Sequence, residues 1–232
     1  MSDILTALEA MLPDLPDAVD RRRLGDRLSQ SVEALKTADY HVGRLNAVLD
    51  LAELTQFGAA PPQSEMLSAL REEAYEVGDA LETAATDGDL RDAMYEYERG
   101  FQKSLASADQ AIRTHWASLA ANKFRSLVPL GDLLQRIGVA PDLARRLQDC
   151  GRRGQAPSNV GPLADLASRA RALLSELETL QAERADAIGE GEVGDFVNAL
   201  AEQRATLTHV TDGVRHWLEK NEALPRFSVV PR

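Results

Sequence analysis

DLRDAMYEYERGFQKSLASADQAIRTHWASLAANKFRSL, residues 89–127, decides the fold class. Its large apolar residues are Leu90, Met94, Tyr97, Phe101, Leu105, Ala108, Ile112, Trp116 and Leu119, separated only by threes and fours. Such steps draw one stripe along a helix. The series 97–108–119, 101–112 and 105–116 repeats every eleven residues, which suits nearly straight packing. Tyr95, Tyr97, Phe101, Trp116 and Phe124 all fall here, so the heaviest burial is expected here too. The pattern predicts one long helix from Asp89 to Leu127, with Gly100 inside it.

Upstream, Ser2 to Leu12 reads as a short helix stopped by Pro13 and Pro16, and Asp17 as the cap of a much longer one reaching Phe57. The longer helix carries Leu28, Leu35, Val42 and Leu49, with 38–45–52 beside them, a seven-residue period typical of coiled-coil packing. Gly58-Ala-Ala-Pro61-Pro62 breaks it. A third helix follows Ser64, with Leu67, Leu70, Ala74, Val77 and Leu81 on one face. Gly43, Gly78 and Gly100 sit inside these helices at a cost in propensity, which close helix–helix approach would explain.

Downstream, glycine and proline punctuate residues 129–162. Two short helices fit there, Leu130–Ile137 and Asp142–Cys150, followed by a loop from Gly151 to Gly161. Two helices of matched length come next. Leu163 to Ile188 marks the first and Val193 to Leu218 the second, and Gly189-Glu-Gly-Glu between them forces an antiparallel hairpin. Leu224 to Arg232 reads as an extended tail. The expected fold is all-α: long antiparallel helices in a bundle or coiled-coil arrangement, ending in an αα-hairpin. Its segments are an acidic bundle (1–128), a locally basic short-helix connector (129–162), the hairpin (163–222) and the tail (223–232).

Composition narrows the function classes. Hydrophobic residues at 44% and charged residues at 27% are those of an ordinary folded chain, while the low aromatic share favours long helices. The net charge of −11 disfavours wrapping of a nucleic-acid backbone by the whole surface, because that affinity comes from neutralising phosphates. A single cysteine, Cys150, allows no disulfide and no multi-thiolate metal site within one chain, and fits a reducing cytoplasm. The start lacks a basic n-region, and no apolar run reaches membrane-spanning length, so a cytoplasmic protein with no membrane partner is expected.

Motifs for chemistry are sparse. None of His41, His115, His209 and His216 has a Glu three residues before it, so the di-iron Glu-x-x-His pair is missing. Gly189-x-Gly191-x-x-Gly194 follows no predicted strand and is acidic where a phosphate would bind, so it reads as a turn. Leu70-Arg-Glu-Glu-Ala-Tyr-Glu-Val-Gly-Asp places Glu73 and Glu76 one turn apart, a spacing that lets two carboxylates share a hard cation such as Mg²⁺. The stretch resembles the first Glu-x-x-Glu helix of all-α nucleotide pyrophosphohydrolases of the MazG type. That resemblance implies a second acidic helix, where this sequence offers Glu96-Tyr-Glu-Arg99, with Arg in place of the fourth ligand, or Asp92.

Arg145, Arg146, Arg152 and Arg153 cluster near Cys150, an arrangement that suits a phosphate or an acidic partner and favours a lower thiol pKa, but with no His partner Cys150 reads as a core or surface thiol. Phe227 in the tail suits docking in a partner's groove. The leading expectation is a non-catalytic helical subunit, with no cofactor, that binds another protein or a second copy through its amphipathic faces. The alternatives are a metal-dependent nucleotide hydrolase on Glu73, Glu76 and Glu96, and an accessory nucleic-acid contact through the arginines.

Overall fold

The computed structural model describes residues 14–83, 92, 95, 97 and 99–227, an all-helical arrangement joined by turns and loops, with no strand among the described residues. The elements are α1 (Asp14–Thr55), α2 (Pro61–Thr83), α3 (Phe101–Phe124), α4 (Leu127–Ile137), α5 (Pro141–Gly154), α6 (Leu163–Ile188), α7 (Glu192–Ala201) and α8 (Asp212–Lys220). Short 3₁₀ turns cover Phe57–Ala59, Leu207–His209 and Leu224–Arg226. The expected Ser2–Leu12 helix lies outside the described residues. Two compact units form. The N-terminal unit takes the described residues within Met1–Asn46 and Arg71–Leu105, and the C-terminal unit takes Ala47–Leu70 and those within Ala106–Arg232.

Helix α1 includes Pro16, which sits in the first turn, where its missing N–H is not needed by the helix. The helix ends where the Thr55 hydroxyl donates back to Leu51 O at 2.6 Å and Gln56 turns left-handed. Pro61 then opens α2 in the position that suits proline. The buried register of α1 differs from the expected one. Val42 is 53% exposed, while His41 is buried, and the buried side continues through Val48, Leu51 and Thr55, with Ala52 of the expected series also buried. The seven-residue spacing therefore runs 41–48–55, one position away from the apolar 42–49 series.

The 89–127 stretch is not one uninterrupted helix. Gly100 is a turn whose carbonyl accepts from the amides of Lys103 and Ser104. From there α3 buries the expected Phe101, Leu105, Ala108, Ile112 and Trp116, then Ala120 and Phe124, while Leu119, expected on the stripe, is half-buried. Close approach does not explain Gly43 and Gly78, because a Cβ at either would meet nothing within 4 Å. It does explain Gly131, Gly151 and Gly154. Helices α4 and α5 pack closely against each other. A Cβ at Gly131 would lie 2.6 Å from Ala144 O, and one at Gly151 would lie 2.8 Å from Val128 Cγ2. One at Gly154 would enter the Phe124 ring. Helix α5 consequently runs on through both glycines to Gly154, where the sequence pattern suggested a loop.

The α4–α5 corner is a Schellman turn: Gly138 adopts φ 74°, and Val139 N donates to Leu134 O at 3.0 Å. Between α5 and α6 the backbone is held from α3. Arg113 pairs with Asp109 at 2.5 Å and donates to the carbonyls of Ser158 and Gly161.

Helix α6 spans the residues expected of it, but the matched second arm of the hairpin does not form. Helix α7 stops at Ala201, with Gln203 left-handed and Arg204 N donating to Ala199 O at 2.7 Å. Threonines then supply caps that a continuing helix would not use. The Thr206 hydroxyl and the His209 ring form a reciprocal capping box, and Thr211 Oγ1 accepts from Val214 N to start α8. Leu207 and Val210, which lie within the expected Val193–Leu218 arm, are exposed in this turn.

Candidate interaction surface

The arginines near Cys150 lie on α5 and are largely engaged by the protein itself. Arg146 makes a two-pronged pair with Glu183 on α6, at 2.9 and 2.7 Å. Arg153 does the same with Glu176 at 2.7 Å and adds Asp149 at 2.8 Å. Arg145 pairs with Asp142. Arg152 is exposed and forms no ion pair among the described residues. The row therefore reads as a zipper between α5 and α6. Its members are about half exposed, so each pair is worth roughly 0–1 kcal/mol, with orientation the larger effect.

Cys150 is fully buried, and its thiol is pushed up to about 11 by burial and then by Glu176, against the smaller opposing effect of Arg153. Cys150 is thus a core thiol, and the neighbouring Arg153 does not lower its pKa, because Glu176 and Asp149 hold the guanidinium. Phe227 packs its ring 6.0 Å from that of Phe196 on α7. Beside it, Arg226 donates to Arg136 O at 3.1 Å, at the C-terminal end of α4, where a cation suits the helix dipole.

The carboxylates lie in the N-terminal unit. Glu73 Oε1 accepts from Ser104 Oγ at 3.0 Å. Glu76 is exposed, and Glu96 lies outside the described residues. No group of three or more His, Cys, Asp or Glu among the described residues is placed to hold a metal ion. His41 is 8% exposed, with its ring edge-on to Tyr40 at 5.3 Å and to Tyr97 at 5.6 Å.

The same unit carries an uneven outer surface. Tyr75 is 80% exposed, Tyr40 64%, Tyr95 58% and Val42 53%. Three of the chain's four tyrosines thus face solvent in one unit, and only Tyr97 is buried. On α2, Tyr75 has Glu72 one turn before it and Asp79 one turn after, with Glu76 and Glu82 also exposed. The segments 1–46 and 71–105 hold 10 Lys/Arg against 18 Asp/Glu. The sequence signal for this face was present, since Tyr75 lies off the Leu67–Leu81 stripe and must point away from it. The α1 pattern marked Tyr40 as well, since it lies two residues from Val42, roughly 160° round the helix and off the expected 42–49 stripe.

No family model, curated protein or solved structure matches this chain. Among the described residues no helix is long and apolar enough to cross a membrane.

Proposed function

We propose that this protein is a non-catalytic helical interaction subunit whose N-terminal unit docks a protein partner presenting a basic surface. The observation that carries the reading is the exposed Tyr75, set among Glu72, Glu76 and Asp79. Tyrosine supplies a large, stiff contact area with a hydrogen-bonding tip, and tyrosines concentrate where interfaces draw their affinity. A ring flanked by carboxylates suits an Arg or Lys side chain, which stacks on the face while its charge meets the acids. Tyr40 already accommodates such a contact, with the Arg44 guanidinium 6.0 Å from its ring centre. The long amphipathic helices, in a bundle or coiled-coil arrangement, serve here as the support for that face, and a cytoplasmic setting suits the lone buried thiol.

Affinity purification from the source organism tests the reading, with wild type compared against Tyr40→Ala/Tyr75→Ala. The expected result is a stoichiometric companion with a basic contact surface. The double variant and elevated salt both release it, while the helical signal stays unchanged. A companion retained equally by the variant would refute the assignment of this face.

A further inference from the structure

His41 carries a device that the interaction reading does not use. The residue is 8% exposed, and its Nδ1 is buried without a hydrogen-bond partner among the described residues. Its ring is edge-on to Tyr40 on its own helix and to Tyr97, whose ring lies 5.5 Å from that of Phe101. The titratable rings that meet it are Tyr40 from α1 and Tyr97, and the charge that acts on it is that of Arg44, also on α1.

We propose that His41 is an acid-sensitive latch of the N-terminal unit, filling its aromatic niche when neutral and loosening the unit when protonated. The imidazolium must donate from both nitrogens, and Nδ1 has no acceptor in this niche. Loss of hydration on burial disfavours the cation, and the Arg44 charge disfavours it further, so the imidazole is held below its ordinary value of 6.5. The attraction of a cation to the neighbouring rings works the other way but does not replace the lost water. The folded state thus prefers neutral His41. Its contribution is complete above the unfolded value of 6.5 and is lost as the pH falls below that toward the folded value. Histidine is the side chain whose ordinary titration lies in this range, so a mild acidification is enough.

Hydrogen exchange on the full chain at pH 7.5, 6.5 and 5.5 tests this, after correction for intrinsic exchange. Amides of residues 36–46 and 71–83 should lose protection by up to about tenfold between the extremes. Those of α4 and α5 should not follow. His41→Phe, which fills the niche and cannot take a proton, should flatten the response. An NMR titration of the wild-type imidazole gives a second readout that needs no variant, with a midpoint expected below 6.5. An imidazole titrating at or above 6.5, or an equal loss of protection in His41→Phe, overturns the proposal.

Discussion

Replacing Gly131 by alanine pits helix propensity against packing, and packing should win. In an open helix the change gains about 1 kcal/mol, because alanine loses less backbone entropy on folding. At Gly131 the added methyl would sit 2.6 Å from Ala144 O, 2.6 Å from Gln148 Cγ and 3.2 Å from Gln148 N. Two of these atoms are backbone on the facing helix α5, so relief requires α5 to retreat by several tenths of an ångström. Overpacking of this kind costs about 1–3 kcal/mol. The retreat also strains the Gln148 amide, which donates to Asp132 at 2.9 Å and Gln135 at 3.0 Å, each bond worth about 1 kcal/mol. The net expectation is a loss of about 2 kcal/mol, or about 4–8 °C in Tm. Gly78→Ala is the matched control, since a Cβ there meets nothing within 4 Å, and it should gain about 0.5–1 kcal/mol. Urea unfolding followed by circular dichroism, with the midpoints compared at unchanged slope, reads both. If Gly131→Ala stabilises the protein as much as Gly78→Ala does, the close approach of α4 and α5 is wrong.

Cys150 should resist a thiol reagent at pH 8 in the folded protein and react at once in denaturant, because burial keeps it protonated. Its raised value also has a consequence for stability. The contribution is complete below the ordinary value of 9.0 and is lost as the pH rises toward about 11, amounting to roughly 2–3 kcal/mol. Unfolding midpoints at pH 8 and pH 11 should therefore converge more in Cys150→Ala than in wild type. Leu207→Glu should change stability by less than about 0.5 kcal/mol, since Leu207 is 69% exposed in a 3₁₀ turn; a large loss in thermal unfolding would restore a continuous second hairpin arm.

Helix positions and breaks were mostly legible in the sequence because they rest on local rules. The Phe101–Trp116 stripe, the break between Gly58 and Pro62 and the reach of α6 follow from spacing and from glycine and proline alone, although the next helix begins at Pro61 rather than Ser64. The misread places are those where a tertiary contact or a cap overrides the pattern. Gly151 and Gly154 look like loop residues until Val128 and Phe124 are found against them. The Thr206–Thr211 caps interrupt an apolar spacing that would otherwise continue, and this signal was available in the threonines themselves. On α1, a polar His41 replaces an apolar Val42 on the buried side, which no hydrophobic period reveals. The arginine row was visible, but its partners Glu176 and Glu183 come from another helix, so its neutralisation was not.

Mapping the companion's footprint tests the interaction reading most directly. Hydrogen exchange on the chain, free and saturated with the recovered partner, should gain protection across residues 71–83 of α2 and around Tyr40, with the C-terminal unit unchanged. Protection confined to α5 and α6, or none in α2, would contradict an N-terminal docking face built around Tyr75.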